Sequence, residues 1–373
     1  MRRNIISAVT LLVVIGLAWL AYRESGRARV VGEPSGAGAQ LMLPTGQGGT
    51  VVWIESAMRS PDSKGEGTDR VMLARRWRSP RQIAAGSEIT AVAVDGSRVL
   101  VAGRQAGQDA TLTSIDIGSS KQQALAAVNG RAERVAAAAG VAAWIERREA
   151  AVPAAPFVAA AAPVTVIRSV PENAGGHVTV VAVLDTDPTS GDVARPDLLG
   201  IAQGRVYWLE HQGGGEGSVT VIRSADASGG APETVFAEPG VQEAVLLDDS
   251  LIWTCASVEA AAGGSRAVKR MALSGGGRDA RQVGRPRLIA DWLGGDMQLL
   301  GSGRAAYAQD KEVLWRLGDQ RGEQEVLYTR PGTVSSAVVI GDDEYVLLLN
   351  GKQRVIAERP LTWWARVRHL CRG

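Results

Sequence analysis

The chain has 373 residues, with 41 Lys and Arg against 39 Asp and Glu, for a net charge of +2 at pH 7. Hydrophobic residues make up 45% of the chain and glycine occupies 45 positions, which suffices for an apolar core and many tight turns. A nearly balanced charge, five Tyr and two Phe exclude a basic stripe with stacking rings, so nucleic acid is not an expected partner. Two cysteines exclude a disulfide framework.

The N-terminal segment predicts a membrane anchor. Residues 1–22 begin with a basic tripeptide and continue as an uncharged apolar stretch that ends near Trp19 and Tyr22, a pattern typical of a spanning helix with an aromatic boundary. A cleaved signal peptide is the alternative, but the small-x-small sequence at 37–39 lies far beyond the apolar region. We therefore expect a single-pass protein of the inner (cytoplasmic) membrane, with residues 23–40 as a flexible tether and the following domain on the periplasmic or extracellular side.

An internal repeat follows. The hexapeptide Val-Thr-Val-Ile-Arg-Ser occurs at 164–169 and at 219–224, each time after a Trp-(Ile/Leu)-Glu strand. Related strand centres recur at intervals of about 40 to 64 residues, at Trp53, Val101, Trp144, Trp208, Trp253, Tyr307 and Leu347. Units of this size cannot bury their apolar faces alone, so they must pack on copies of themselves.

The repeat unit is clearest over residues 89–127. Alternating residues at 89–94 predict a strand, Asp95-Gly96 a hairpin turn, and 98–102, 111–117 and 122–127 three more strands. The pattern predicts an all-β fold, a single β-propeller of about seven four-stranded blades over residues 41–359, with six or eight also possible. A strand near 29–32 is expected to complete the last blade.

The Trp-x-Glu motifs place an aromatic ring and a carboxylate on one face of a strand. One interpretation is a ring of acidic groups, Glu55, Glu146 and Glu210, at a channel mouth that binds a cation or a basic ligand. The other pairs each carboxylate with an arginine of the following strand, namely Glu55 with Arg75, Glu146 with Arg168, and Glu210 with Arg223. Burial of a carboxylate favours pairing.

Motifs for chemistry are weak. The acidic segment 185–192 has the oxygen density of a calcium loop without its spacing, and His177, His211 and His369 are too scattered to indicate a metal centre. No nucleophile elbow, phosphate loop or paired-cysteine motif occurs. The sequence therefore assigns no catalytic residue, no metal and no cofactor.

The C-terminal segment 360–373 predicts a short basic amphipathic helix in which Trp363, Val367 and Leu370 share a face. This face can cover an open end of the propeller, or the segment can contact anionic lipid or a partner protein. The candidate interaction residues are Trp363, Trp364, Arg366 and Arg368.

The strand 206–210, Val-Tyr-Trp-Leu-Glu, followed by the hexapeptide at 219–224, resembles bacterial propellers of the YWTD and TolB-like groups. Glu210 stands where the YWTD motif ends in Asp, and Cys255 stands there in another unit. The resemblance implies protein or ligand binding on a propeller face outside the cytoplasm and supplies no catalytic residue.

Two functions follow from these patterns. The first is a non-enzymatic, membrane-anchored envelope propeller that acts as a binding scaffold for a protein or ligand. The alternative is a propeller enzyme, of the lactonase or quinone-dependent dehydrogenase type, with its site at the central channel. Converging His, Asp, Glu or Asn side chains at one channel mouth would favour the enzyme.

Overall fold

The computed structural model describes residues 29–32, 40–41, 45–47, 50–56, 68–75, 79–104, 108–148, 164–172, 176–184, 196–212, 219–256, 266–273, 284–293, 297–309, 313–321, 323–329, 334–340, 345–350 and 355–360. These residues form 29 strands and no helix, which confirms the all-β prediction. No helix within these ranges is long and apolar enough to cross a membrane. The predicted anchor 1–22, the acidic segment 185–192 and the C-terminal segment 361–373 lie outside them.

The strands form seven antiparallel sheets. The first strand, β1 (Arg29–Gly32), belongs to the seventh sheet. The first sheet contains β2 (Gln40–Leu41), β3 (Thr45–Gln47), β4 (Thr50–Ser56), β5 (Asp69–Arg75) and β6 (Arg81–Gly86). The second contains β7 (Glu88–Asp95), β8 (Arg98–Arg104), β9 (Ala110–Asp116) and β10 (Gln122–Ala127). The third contains β11 (Arg131–Ala138), β12 (Val141–Arg148), β13 (Val164–Pro171) and β14 (Thr179–Leu184).

The remaining sheets repeat this order. The fourth contains β15 (Asp197–Ala202), β16 (Arg205–Gln212), β17 (Val219–Asp226) and β18 (Glu233–Pro239). The fifth contains β19 (Glu243–Leu246), β20 (Ser250–Ala256), β21 (Arg266–Ala272) and β22 (Arg287–Leu293). The sixth contains β23 (Gln298–Ser302), β24 (Ala305–Gln309), β25 (Val313–Leu317) and β26 (Gln324–Thr329). The seventh contains β27 (Val334–Ile340), β28 (Tyr345–Asn350) and β29 (Val355–Pro360).

The sheets are arranged as in a β-propeller. The first strands of successive sheets contact each other in the order β3, β7, β11, β15, β19, β23 and β27, and β27 contacts β3. The first strands therefore surround the axis of the ring. The seven predicted strand centres all fall in second strands, β4, β8, β12, β16, β20, β24 and β28. In the first sheet β2 and β3 pair with the two ends of β4, so they act together as a divided first strand.

The seventh sheet joins the two ends of the chain. β1 pairs antiparallel with β29, with Arg29 opposite Glu358 and Val30 opposite Ala357. This strand was predicted, and it lies inside the segment 23–40 that the sequence analysis assigned to a tether. The tether assignment is corrected at these residues, because adjacent valines have strong strand propensity and the edge of β29 offers them a partner.

The core lies between neighbouring sheets. Trp144 of the third sheet packs with Leu100 and Leu112 of the second, and Trp208 of the fourth packs with Ile145 and Ile167 of the third. Both indoles are fully buried. Each sheet thus completes the interior of the preceding one, as the repeat predicts.

Tight turns join first to second strands. Gly96 has φ 53°, and Gln203 and Gly204 have φ 53° and 75°, the left-handed backbone that two-residue hairpin loops need. These turns define what we call the lower end of the ring. The upper end is where first strands begin and second strands end.

Candidate functional site

Ionisable side chains from three adjacent sheets lie at the upper end. Arg134 lies near the start of β11, Asp197 is the first residue of β15, and Glu243 is the first residue of β19. The Arg134 Nε atom lies 2.9 Å from Asp197 Oδ1. The Asp197 side chain is 44% exposed, so part of it is accessible to solvent. We call Asp197 and Glu243 the carboxyl pair.

Burial raises the pKa of both members of the pair. For Asp197 desolvation is the main cause, and the charges of Arg134 and His211 partly oppose it. For Glu243 desolvation is again first, opposed by a hydrogen bond from the Leu299 backbone and by the charge of Arg266. The charge of Asp197 raises the pKa of Glu243 further. Carboxyls that interact in this way exchange protons in a higher pH range than isolated ones.

Backbone and side-chain contacts fix the position of Glu243. The Leu299 amide donates a hydrogen bond to Glu243 Oε2 at 2.9 Å, so the carboxylate bridges the fifth and sixth sheets. Arg266 donates from Nη1 to the Met297 carbonyl at 3.4 Å on the same side. One carboxylate oxygen of Glu243, Oε2, is therefore held by the backbone of the neighbouring sheet.

His211 is held in one tautomer beside Asp197. Its Nδ1 lies 3.0 Å from Thr220 Oγ1, and that hydroxyl donates its proton to the Val241 carbonyl at 3.1 Å. Since the hydroxyl has only one proton, Nδ1 of His211 must donate to it. This hydrogen bond fixes the orientation of the His211 ring beside Asp197.

No sequence motif predicts a site at Asp197, Glu243 or Arg134, and His211 is one of three scattered histidines that indicate no metal centre. A signal existed, because three of the first strands begin with an acidic residue: Glu88, Asp197 and Glu243. That signal becomes visible only when the strand starts are aligned across the repeat.

The acidic residues of the Trp-x-Glu motifs are structural. Trp144 and Trp208 donate from Nε1 to Glu146 and Glu210 at 3.4 and 2.6 Å. Predicted pairing is confirmed for Glu146 with Arg168 at 3.4 Å and for Glu210 with Arg223 at 2.9 Å. The indole, carboxylate and guanidinium form what we call a clip. These carboxylates are buried and do not form a free acidic ring.

The predicted pair of Glu55 with Arg75 is wrong. In the register of β4 with β5, Arg70 stands opposite Glu55 and Arg75 stands opposite Thr50, at the far end of the strands. Trp53 still donates to Glu55 Oε1 at 3.4 Å. The first sheet therefore shares the indole–carboxylate hydrogen bond of the clip.

The fifth sheet builds the clip from a different carboxylate. Cys255 occupies the Glu position and is a free, buried thiol. Trp253 Nε1 donates instead to Glu238 Oε2 at 3.1 Å, from the outer strand of the fourth sheet. Lys269 forms an ion pair with the same carboxylate, and it stands opposite Trp253 in the register.

Other predicted positions fall outside the described residues, namely Trp363, Trp364, Arg366 and Arg368 together with the segment 185–192. Within the described ranges no group of three or more His, Cys, Asp or Glu side chains could hold a metal ion.

Comparison with known proteins supports the fold. No protein-family model and no curated protein matches the sequence. An oligogalacturonate lyase from Vibrio parahaemolyticus is similar at 10% identity and TM-score 0.60, over 90% of this chain and 96% of that chain. The β-propeller domain of the trilobed protease from Pyrococcus furiosus, described as having an open velcro topology, is similar at 11% identity and TM-score 0.55, over 87% and 95%.

A third similar structure is larger. The acylaminoacyl peptidase from Pyrococcus horikoshii matches at 11% identity and TM-score 0.57, over 87% of this chain and 52% of that chain. This chain therefore spans about half the length of that peptidase. The comparisons define the class as a β-propeller, and the finer resemblance to the YWTD and TolB-like groups stays a prediction.

The prediction of a non-enzymatic scaffold is wrong. Solved structures of the same fold include a peptidase and oligogalacturonate lyases, so the propeller fold gives no support to a non-enzymatic interpretation. The prediction depended on short motifs, and short motifs do not reveal side chains that come from separate sheets, such as Arg134, Asp197 and Glu243. At 10 to 11% identity the likeness shows the fold alone and transfers no particular activity.

Proposed function

We propose that this propeller is an enzyme that performs acid–base catalysis at the upper end of its central channel. The observation that supports this most strongly is the carboxyl pair, Asp197 and Glu243, whose pKa values are both raised by burial. Perturbed carboxyls at a channel mouth are the groups that general acid–base catalysis needs. The match over 96% of an oligogalacturonate lyase supports a single propeller as a sufficient scaffold for catalysis.

The proposed roles follow from the contacts. Glu243 acts as the acid and Asp197 acts as the base, because the charge of Asp197 raises the pKa of Glu243. Arg134, with a side chain 60% exposed, binds an anionic group of the substrate or stabilises charge that develops in the transition state. The reaction class is hydrolysis or elimination, in which one proton is removed and another is delivered.

The test is a substrate panel with matched variants. Full-length protein is assayed on esters, lactones, peptides, and neutral and acidic oligosaccharides. We expect turnover of one class, and Glu243→Gln should lower kcat/KM by about 100-fold or more. The control is Glu233→Gln, which removes an exposed carboxylate that pairs with Arg205 on the fourth sheet. Full activity in Glu243→Gln, or no turnover on the whole panel, would contradict the proposal.

The pH profile separates catalysis from structure. Since burial raises both pKa values, the rate is expected to fall on acidification at a pH above the ordinary carboxyl range near 4. In Asp197→Asn the residual activity should lose this acidic limb, and the alkaline limb set by Glu243 should move to lower pH, because the negative charge that raises the pKa of Glu243 is gone. A limb that does not move would argue against coupling within the pair.

We also propose that residues 1–22 anchor the chain in the cytoplasmic membrane and hold the propeller outside the cytoplasm. The support is the apolar stretch and its aromatic end. An alkaline phosphatase reporter fused after Gly373 should be active, and a fluorescent protein fused there should be dark. The opposite pattern would overturn this location.

Membrane crosslinking would test whether Trp363, Trp364, Arg366 and Arg368 contact lipid or a partner protein.

A further inference from the structure

A cavity of about 500 Å³ opens at the upper end between the second and third sheets. Its polar wall consists of three arginines, two glutamates and a threonine: Arg104, Arg131, Arg147, Glu88, Glu133 and Thr90. The volume is in the range of pockets that hold small organic ligands. None of these residues belongs to the carboxyl pair, so the inference goes beyond the proposed function.

Two of the arginines face each other across a strand pair. Arg131 stands directly opposite Arg147 in the register of β11 with β12. Like charges in this position destabilise a sheet. Arg147 is partly compensated by Glu133, whose Oε1 accepts a hydrogen bond from Nη1 at 3.0 Å. Arg131 has no acidic side chain among the described residues within ion-pair distance. An anion between the two guanidinium groups would relieve the repulsion.

The opposite wall has a balanced charge. Glu88 and Arg104 stand across from each other at the open end of β7 and β8. The cavity therefore carries three guanidinium groups and two carboxylates, an excess of one positive charge. A ligand with a single negative charge matches this excess, while a phosphate dianion would meet two carboxylates.

Irregular backbone shapes the cavity. The register shifts between Ile89 and Ala91 in β7 and between Ala132 and Arg134 in β11, so Thr90 and Glu133 are bulged residues. Bulges re-aim side chains and are common beside functional sites. Gly130 has φ 146°, and a Cβ atom there would lie 2.3 Å from the Arg147 carbonyl oxygen. The backbone beside the arginine pair is thus packed too closely for a side chain.

We propose that this cavity binds a small ligand with one carboxylate and several hydroxyl groups, a sugar acid in chemical class. The carboxylate lies between Arg131 and Arg147, because the planar guanidinium fork matches carboxylate geometry. Arg104 contacts it from the facing wall. The ligand hydroxyls donate hydrogen bonds to Glu88, Glu133 and Thr90. A carboxylate ligand without hydroxyl groups has no donors for these three side chains.

Binding is tested by isothermal titration calorimetry on the full-length chain in mild detergent, with glucuronate as the probe. Glucose tests the need for the carboxylate, acetate the need for the hydroxyls, and glucose 6-phosphate the preference for one negative charge. We expect glucuronate to bind at least tenfold more tightly than any of the three, and added salt to weaken it. Arg131→Gln and Arg104→Gln should each weaken glucuronate binding at least tenfold.

The matched control is Arg304→Gln, an arginine 78% exposed that pairs with Asp249 at the lower end of the ring. It should bind glucuronate as the parent does. Equal binding of glucose, acetate or glucose 6-phosphate, or unchanged binding in both Arg131→Gln and Arg104→Gln, or no glucuronate binding by the parent, would overturn the proposal. If Glu243→Gln lost catalytic activity but still bound glucuronate, the sugar-acid proposal would be unaffected. Failure of the sugar-acid site can therefore be distinguished from failure of the proposed acid–base function.

Discussion

At the scale of single residues, Glu172 stands apart from the paired carboxylates of the clips. It is buried, with 2% of its surface exposed, and lies at the lower end of the ring beside Asp95. Burial is the largest cause that raises the pKa of Glu172 to about 7, and the charge of Asp95 adds to it, while Arg98 opposes it. The Gly140 amide donates to Asp95 Oδ2 at 3.0 Å, which keeps Asp95 next to this carboxyl.

The raised pKa predicts a pH-dependent stability. Between its ordinary value of 4.5 and about 7, Glu172 is deprotonated in the unfolded chain and protonated in the folded protein, so the free energy of unfolding falls as pH rises through this window. The full loss above pH 7 is roughly 3 kcal/mol. Glu172→Gln removes the titrating group and should be more stable than the parent at pH 8, with little difference at pH 4. Urea unfolding at both values measures this, and an equal difference at pH 4 and pH 8 would contradict it.

At the scale of elements, the clip couples the second and third strands of a sheet to the neighbouring sheet. Trp208 is fully buried against the third sheet, and its ring nitrogen donates to a carboxylate that is also held by Arg223. The Trp208 side chain therefore stabilises the fold in two ways: its ring packs in the apolar core, and its N–H group hydrogen-bonds a buried carboxylate.

Truncation of this indole should be costly. Trp208→Ala is expected to lower the free energy of unfolding by roughly 3 to 5 kcal/mol through the cavity it leaves. Trp208→Phe, which keeps most of the ring but removes the N–H donor, should cost only about 1 to 3 kcal/mol. Chemical denaturation of the three proteins gives both values. If Phe were as damaging as Ala, the indole hydrogen bond rather than packing would dominate.

The sequence predicts these elements well where the information is local. Central strands were found because a buried Trp recurs, and the partners of Glu146 and Glu210 were found because both hairpins carry the same hexapeptide. The partner of Glu55 was missed because the register of β4 with β5 depends on the connection between them, residues 57–68, whose length sets which residues face each other. Glu238 was missed because it reaches Trp253 from another sheet.

The candidate site was hidden for the same physical reason. Arg134, Asp197 and Glu243 are separated by long stretches of chain and meet only because three first strands begin at one end of the ring. Strand pairing within a unit follows from periodicity. The angular placement of one unit beside the next depends on packing of whole faces, and a single sequence does not report it.

At the scale of the whole molecule, the ends of the chain share a sheet. Val30 in β1 lies opposite Ala357 in β29, so the seventh sheet obtains its fourth strand from the other terminus. The strands of this sheet lie in the order β27, β28, β29 and β1. Hydrogen bonds between β29 and β1 therefore hold the first and last described strands together without a covalent link.

Weakening β1 should therefore loosen the ring. Replacement of Val30 and Val31 by glycine is expected to lower the melting temperature and to speed amide hydrogen exchange in β29, because glycine is a poor strand former. Val326→Gly, at a residue 54% exposed in the outer strand of the sixth sheet, controls for loss of strand propensity alone. Unchanged exchange in β29 would show that the pairing contributes nothing to its protection.

The shared seventh sheet has a consequence during synthesis. β1 leaves the ribosome first, but its partner β29 follows roughly 320 residues later, an interval of about 16 to 65 seconds at typical elongation rates. Throughout that time the six intervening sheets can assemble while β1 remains without its partner strand. The pairing of β1 with β29 can therefore form only after nearly the entire polypeptide has been made.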